Sequence, residues 1–458
     1  MSAKNDASLR GAFSGKLGYV LATAGSAVGL GNIWRFPYLA AKYGGGMFLL
    51  VYIILALTFG YTMMMSESTL GRLTRKSPVG AFSAYGRGKL AKAGGWINAV
   101  IPMLILPYYC VIGGWVTKYL YEYIVGNVSG MAADGFFDQF ITSAVSGELW
   151  FVIFAALTLI VIAVGVESGV ERVSKIMMPA LIVLSIAVAV YSMTRPGALK
   201  GVKYFLIPNF KNFSWMTVVA ALGQLFYSLS IAMGILITYG SYMKKDVNIE
   251  HATFQVELFD SGIAILAGLM IIPAVFAFSG GDPETLNAGP SLMFITMPKV
   301  FDSMGMGDVF GIVFFMLVLF AALTSAISLA ETSTSTFQDE FGLSRAKAVG
   351  LVAAITLVLG SLSSFGYSSL SFVHIFGMEI LDFFDFLTNS LMMPVAAFAI
   401  CVFVVKCVGI DRVRDEIRLS SKFRMEPVYR VMIRHIAPAF VIVILLSSVA
   451  QVFGWIKM

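Results

Sequence analysis

Eleven long apolar stretches separated by charged loops limit what this chain can fold into. They run over residues 16–40, 44–71, 94–125, 148–166, 174–193, 214–242, 252–279, 307–337, 347–364, 380–407 and 429–456. A helix needs about 20 apolar residues to cross the hydrocarbon core of a bilayer. Only 13% of the 458 residues are charged and 58% are hydrophobic, whereas a soluble domain carries about 25% charged residues. The charges are too few to cover a water-facing surface, which excludes a disordered chain, a coiled coil and an ordinary cytosolic enzyme. Period-two alternation with aromatic girdles is missing, so a β-barrel does not fit. The pattern predicts an all-α polytopic membrane protein of about 11 transmembrane helices, numbered here as spans 1 to 11.

The loops alternate in charge. With the N-terminus inside, the cytoplasmic segments hold Lys4, Arg10 and Lys16; Arg72, Arg75, Lys76, Arg87, Lys89 and Lys92; Arg172 and Lys175; Lys244 and Lys245; and Arg345 and Lys347. The loop before span 11 adds Lys406, Arg412, Arg414, Arg418, Lys422, Arg424, Arg430 and Arg434. Most of the 32 basic residues thus fall on one side, as the positive-inside rule requires. An odd number of spans puts the C-terminus outside. The first residues, MSAKNDASLRGAFS, lack the apolar core of a signal peptide, and the expected location is the inner or plasma membrane. The net charge of +6 follows this topology and does not point to nucleic acid. Cys110, Cys401 and Cys407 are odd in number and lie in apolar surroundings, so neither a disulfide framework nor a zinc site follows from them.

Spans 1 and 6 are interrupted in their middles. The first reads LGYVLATAGSAVGLGNIWRFPYLAAKYGGG, with Gly25, Gly29 and Gly31 in seven residues and Pro37 beyond. The sixth clusters Ser228, Ser230, Ala232 and Gly234 at its centre. Each glycine inside a helix costs about 1 kcal/mol relative to alanine, and irregular backbone at membrane depth is tolerated only where it lines a cavity. Close helix packing through small residues four apart, as Gly25 and Gly29 are, is the alternative, but it does not call for a run that goes on to Gly31 and ends in Asn-x-x-Arg. The two breaks occupy equivalent positions in two five-span halves of opposite orientation, a pattern that points to the binding site of a secondary transporter.

These residues are specific enough to recognise. GSAVGLGNIWRFPYLAAKYGGGMF, with GQLFYSLSIAMG, ALTSAIS and LDFFDF in order along the chain, resembles the neurotransmitter:sodium symporter family, its bacterial sodium-coupled amino-acid transporters in particular. The family usually has twelve spans, and eleven are read here. The resemblance implies the leucine-transporter fold, a 5+5 inverted repeat with broken helices 1 and 6. Residues 1–15 are then a cytoplasmic segment, 16–193 and 214–407 the two repeats, and 408–458 a cytoplasmic loop with span 11.

Two sodium sites are expected. Sodium is a hard cation that takes oxygen ligands, and unwound carbonyls supply them without burying a full charge. Ala321, Thr324 and Ser325 fall at i, i+3 and i+4, on one helix face, where two hydroxyls and a carbonyl can meet the carbonyls of Gly25 and Val28. The alternative for the two hydroxyls is a bond to their own preceding turn. By resemblance the other site uses the Ala27 carbonyl, Asn32, Ser228 and Asp260. A carboxylate at mid-membrane costs at least ~2.5 kcal/mol on insertion scales and marks function by default. Chloride-dependent members have asparagine where Asp260 stands and serine where Ala264 stands, whereas Tyr52, Gln224 and Ser228 match their chloride partners. Asp260 is therefore expected to supply the negative charge that chloride supplies elsewhere, which makes transport sodium-dependent and chloride-independent. Two Na⁺ against Asp260 and the substrate carboxylate then leave the substrate ammonium as the net charge.

The substrate carboxylate is expected on the amides of Leu30 and Gly31, at the partially positive N-terminus of a half-helix, and the resemblance implies the Tyr109 hydroxyl as a further donor. Carbonyls around Ser26, Ala27, Tyr227 and Ser230 would take the ammonium, and Ile105, Tyr109, Tyr227, Met233, Ser325 and Leu329 would face the side chain. Met233 replaces a phenylalanine of the leucine transporter, and its flexible thioether adapts to several shapes. Ala232 replaces the family's usual glycine. A neutral hydrophobic or aromatic L-amino acid is the expected substrate. Arg35 and Asp385, with Asp382 nearby, would form an outer gate. Arg10 and Asp339, with Phe13 and Tyr242, would form an inner one. Glu67 is expected to satisfy the unwound backbone of span 6, and Glu331 needs a partner that this reading does not name.

No HExxH, GxxxxGK[ST] or Ser–His–Asp arrangement is visible, and Gly29-x-Gly31 follows no strand, so neither an enzyme nor a nucleotide site is expected. The expected partners are a small-molecule amino acid and the lipid bilayer, with the chain a monomer or weak dimer. A proton-coupled exchanger of the same architecture, driven by pH alone, and a channel with conductance far above carrier turnover are the alternatives.

Overall fold

The computed structural model describes residues 11–279 and 291–452. Among these, nine helices are long and apolar enough to cross a membrane: Gly46–Thr74, Lys89–Ile124, Ala144–Val164, Val166–Met193, Ile249–Ser279, Gly307–Phe341, Arg345–Phe365, Ile380–Val408 and Glu426–Ala450. They correspond to spans 2–5 and 7–11. Most reach a few residues beyond the apolar stretches because the backbone ladder continues where side chains turn polar. Helix ends therefore follow capping and loop geometry rather than hydropathy. Spans 4, 5, 9 and 11 turn most of their apolar surface outward, as lipid-facing helices do.

Spans 1 and 6 are each two helices. Span 1 runs from Lys16 to Ala27 and resumes as a π-turn at Gly31–Arg35 continuing into Phe36–Lys42. Between the halves Val28 is extended, with ψ 101°. Span 6 runs from Trp215 to Ser228 and resumes at Ile235–Tyr242. In its break Ser230, Ala232 and Gly234 have φ of 52°, 61° and 70°. Only glycine adopts this left-handed region freely, so two of the three positions are strained.

The N-terminal half of span 1 packs on spans 5, 7 and 8, and the C-terminal half of span 6 packs along span 2. Span 3 lies along spans 4, 8 and 9. The two breaks thereby meet at mid-depth, walled by spans 3 and 8. Loop helices that hydropathy does not signal include Pro78–Tyr85, Ala198–Leu206 and Ile410–Arg418.

Candidate functional site

The breaks border a cavity between them. All eleven residues expected at the substrate line it: Ser26, Ala27, Leu30, Gly31, Ile105, Tyr109, Tyr227, Ser230, Met233, Ser325 and Leu329. Gly29, Asn32, Ile235 and Ser328 complete the wall. Ser328, absent from the sequence-based substrate set, donates to Ser26 Oγ at 2.8 Å. Its signal was present, since 321, 324, 325 and 328 share one face of span 8. At the span 1 break the Leu30 amide points at the Tyr109 hydroxyl, 3.4 Å away. Gly31 fits closely here, because a Cβ would lie 2.2 Å from Cδ1 of Tyr227, whose ring would have to shift.

Each break is tied down by side chains. Asn32 Oδ1 accepts from the Gly29 amide at 3.0 Å, and Gln224 donates to the Gly31 carbonyl at 3.0 Å. In span 6 the Ala232 amide donates to Glu67 Oε1 at 2.8 Å. Ser230 donates to the Ser26 carbonyl at 3.0 Å. A strained backbone persists only where its surroundings over-determine it, and these bonds do so.

Asp260 is wholly buried. Ser228 donates to its Oδ1 at 2.7 Å, Asn32 Nδ2 donates to the same atom at 2.8 Å, and Tyr52 donates to Oδ2 at 3.0 Å. Asn32 Nδ2 also reaches Ser228 Oγ at 3.0 Å. A buried charge held only by neutral donors is compensated by a cation or takes up a proton. The structure thus joins Asn32, Ser228 and Asp260 in one network beside Ala27, which lines the adjoining cavity.

The other group of expected sodium ligands divides in two. The Ser325 hydroxyl stands 3.4 Å from the Gly25 carbonyl, 3.2 Å from that of Ser26 and 3.4 Å from that of Val28. Span 8 thus meets the inner edge of the break. Thr324 instead donates back to Phe320 and Ala321 at 2.9 and 3.1 Å, so its hydroxyl follows the back-bonding alternative. It still borders Gly25, where a Cβ would come within 3.1 Å of Thr324 Cβ.

Beyond the span 1 break Arg35 donates to the Gly223 carbonyl at 3.2 Å and lies 5.6 Å from the Tyr227 ring centre. Asp385 accepts from Asn389 at 2.5 Å and from Tyr108 at 3.3 Å. The two charges feel one another without forming a direct ion pair. Of the other expected gate, Arg10 lies outside the described residues. Asp339 accepts from the Ser77 amide at 2.6 Å. Phe13 is buried edge-on against Tyr19, Tyr239 and Tyr242. Glu331 gains the partner that the sequence did not reveal: Arg345 donates to both of its oxygens, at 2.5 and 3.2 Å, and Tyr242 donates at 2.8 Å.

A cavity between two broken helices, bordered by neutral oxygens and joined through Asn32 to a buried carboxylate, can hold a small polar ligand and a cation. The model of the sodium:neurotransmitter symporter family matches residues 10–135 and 137–455. The chain belongs to that family. The sodium-dependent transporter YhdH of Bacillus subtilis is 34% identical over 95% of this chain and 97% of its own length. A sodium-dependent transporter of Methanocaldococcus jannaschii is 31% identical over 91% of this chain and 86% of its own. The sodium- and chloride-dependent taurine transporter of Rattus norvegicus is 26% identical over 91% and 74%. The crystal structure of MhsT in complex with L-phenylalanine superposes with a TM-score of 0.86 and 37% identity, covering 96% of this chain and all of that one. The fold is therefore that of the leucine transporter, and the chain is a sodium-dependent, multi-pass membrane transporter of a small-molecule substrate, in a family of transporters rather than enzymes.

Proposed function

We propose that this chain is a sodium-driven symporter that imports a neutral hydrophobic or aromatic L-amino acid by alternating access, without chloride. The observation that carries the reading is Asp260, fully buried, held by Tyr52, Asn32 and Ser228, and adjoining the cavity. A fixed carboxylate at this place does the electrostatic work of a bound anion, so a sodium ion beside it is neutralised without one. Ala27, Asn32, Ser228 and Asp260 take one sodium. Gly25, Val28, Ala321, Thr324 and Ser325 take the second, with the Thr324 hydroxyl turning from its own helix to the ion.

The substrate carboxylate lies on the Leu30 and Gly31 amides and the Tyr109 hydroxyl. Its ammonium lies on carbonyls around Ser26, Ala27, Tyr227 and Ser230. Apolar Ile105, Met233 and Leu329 favour an uncharged side chain, and the phenylalanine held by MhsT supports an aromatic one. Sodium orders the two breaks with the outer side open. The amino acid completes the first sodium shell and draws Arg35 toward Asp385. Loosening of the inner half of span 1, at an Arg10–Asp339 gate, releases sodium from the second site and then substrate. The N-terminus faces the cytoplasm and span 11 ends outside.

The test is uptake of labelled L-phenylalanine into proteoliposomes under an inward sodium gradient, with chloride or gluconate as the anion. Equal sodium-driven uptake in both media is expected. Uptake that collapses in gluconate removes the role given to Asp260, and uptake driven by a pH gradient without sodium removes the symport mechanism.

A further inference from the structure

Many basic side chains at the span ends have an acid to answer them. Arg72 and Lys245 share Glu416, Arg345 holds Glu331, Lys175 holds Glu171, and Arg414 and Arg430 take Asp411. One group does not. Arg87, Lys89, Lys406 and Arg412 are all exposed, and none of them pairs with a carboxylate among the described residues. Arg87 and Lys89 lie in a stretch without Asp or Glu from 68 to 121, and Lys406 in another from 386 to 410.

The fold brings these distant stretches to one place. The Phe82 ring stacks on that of Phe403, with centres 4.2 Å apart. A Cβ on Gly86 would lie 3.0 Å from the Phe403 ring, so the turn that carries Arg87 rests on the end of span 10, three residues before Lys406. The Arg412 guanidinium lies 5.5 Å from the centre of the Tyr85 ring, beside the same turn. Asp411 next to it faces Arg414 and Arg430, and Lys92 stands apart, within electrostatic reach of Glu340. The positive-inside rule explains the side on which basic residues fall, not their convergence without a counter-charge. Lys89 also opens span 3, whose first turn holds no acidic residue, so it opposes the positive end of the helix dipole. An anion relieves both conflicts. The surroundings say which kind. Leu90 is 91% exposed beside Lys89. Val395, Phe398 and Val402 are exposed at spacings of three and four, and Lys406 follows four residues on, which makes one outward stripe. That stripe rises about 16 Å, about the hydrocarbon depth of one leaflet.

We propose that Arg87, Lys89, Lys406 and Arg412 form a binding site for the phosphate headgroup of an anionic phospholipid, with an acyl chain lying on the Val395–Phe398–Val402 stripe. The bound lipid ties the 78–85 helix to the end of span 10. The Ser77 amide at the start of that helix donates to Asp339 at 2.6 Å, so the lipid also steadies the segment that meets span 8. Each basic residue at an anionic lipid surface strengthens binding about fivefold. The inference does not depend on which ion or amino acid is carried.

The test is native mass spectrometry of the full chain in detergent, paired with thermal midpoints, as dioleoylphosphatidylglycerol, dioleoylphosphatidylcholine or inorganic phosphate is titrated in. The wild type should retain phosphatidylglycerol and melt higher with it, whereas phosphatidylcholine and phosphate should do neither. Arg87→Gln with Lys406→Gln should weaken phosphatidylglycerol binding about 25-fold. Arg87→Lys with Lys406→Arg should keep it. Lys200→Gln with Lys203→Gln, which removes two exposed cations from the 198–206 helix, should keep it as well. Equal binding of the two phospholipids by the wild type, or binding unchanged in the Arg87→Gln, Lys406→Gln variant, overturns the site. Loss of equal size in the Lys200→Gln, Lys203→Gln variant overturns it too, because net charge alone then decides. Phosphate that stabilises as strongly as phosphatidylglycerol overturns the lipid as occupant. Should the Arg87→Gln, Lys406→Gln variant not fold, the wild type decides: potassium chloride raised from about 0.1 M to about 1 M at fixed sodium shortens the screening length from about 10 Å to about 3 Å and must release phosphatidylglycerol, and undiminished retention overturns the proposal.

Discussion

Substitution of Asp260 by asparagine isolates the charge from the shape of the site. The amide keeps an oxygen that can accept from Ser228 or Tyr52, now 2.7 and 3.0 Å from the carboxylate, so the packing is preserved and the charge is lost. A sodium ion ligated by Asp260 together with Asn32, Ser228 and the Ala27 carbonyl sits about 3 Å from the carboxylate's centre of charge. At an effective dielectric of about 20 their attraction is about 5–6 kcal/mol, of which the amide oxygen of the variant keeps about 2 kcal/mol as a contact to a charged group, so about 3–4 kcal/mol is lost. That energy corresponds to roughly a 10²–10³-fold loss of sodium affinity, since about 1.4 kcal/mol is tenfold. The assay is equilibrium binding of labelled L-phenylalanine to purified protein as sodium is titrated, in chloride and in gluconate. Wild-type protein should give one curve in both anions. Asp260→Asn should shift it by two to three decades in gluconate, and chloride should recover part of the loss, because Tyr52, Ser228 and Gln224 then have donors to offer an anion. A variant that binds sodium normally in gluconate refutes the assignment.

Two further outcomes follow from the breaks. Gly31→Ala drives a methyl into the Tyr227 ring, 2.2 Å from Cδ1. Overpacking of this kind costs about 1–3 kcal/mol, so L-phenylalanine affinity at saturating sodium should fall roughly 5–150-fold, and wild-type affinity would show that the ring moves freely. Glu67→Ala leaves the Ala232 amide, now 2.8 Å from Oε1, without an acceptor. The penalty is about 1–3 kcal/mol, read as a lower thermal midpoint and weaker binding, whereas Glu67→Gln retains an oxygen and should lose less; equal losses in the two variants would remove the acceptor role.

The parts legible in the sequence are those whose physics is local. Three glycines within seven residues of an apolar stretch cannot propagate a helix cheaply, and the structure breaks span 1 just there, at 28–30. An acid in an apolar stretch needs donors, and Asp260 has three. Contacts between distant segments were illegible. Arg72 is wholly buried against Glu416, 344 residues away, with Lys245 on the same carboxylate at 2.7 Å. No window of hydropathy pairs those positions. Glu331 and Arg345 are only 14 residues apart, yet their pairing depends on how the turn after Phe341 folds back. The Thr324 hydroxyl was ambiguous for another reason: its own preceding turn offers an acceptor at no cost in chain entropy, and that acceptor is the one it uses.

The arrangement also explains why ion and substrate should move together. Ser26 lies in the last turn of the inner half of span 1, and three hydroxyls converge on it. Its carbonyl accepts from Ser230 in span 6 and from Ser325 in span 8. Its hydroxyl meets Ser230 at 3.0 Å and Ser328 at 2.8 Å. Ser325 belongs to the expected second sodium site, Ser230 to the strained span 6 break, and all four line the substrate cavity. A cation that drew the Gly25 and Val28 carbonyls toward span 8 would therefore pull on the same residue that positions the substrate ammonium. Neutral hydrogen bonds suit that task better than ion pairs. Each contributes about 0.5–1.5 kcal/mol net, so the set orders the break when the ion is present and gives way when it leaves. A buried ion pair broken at one partner would cost about 3–5 kcal/mol and would hold the break in a single state.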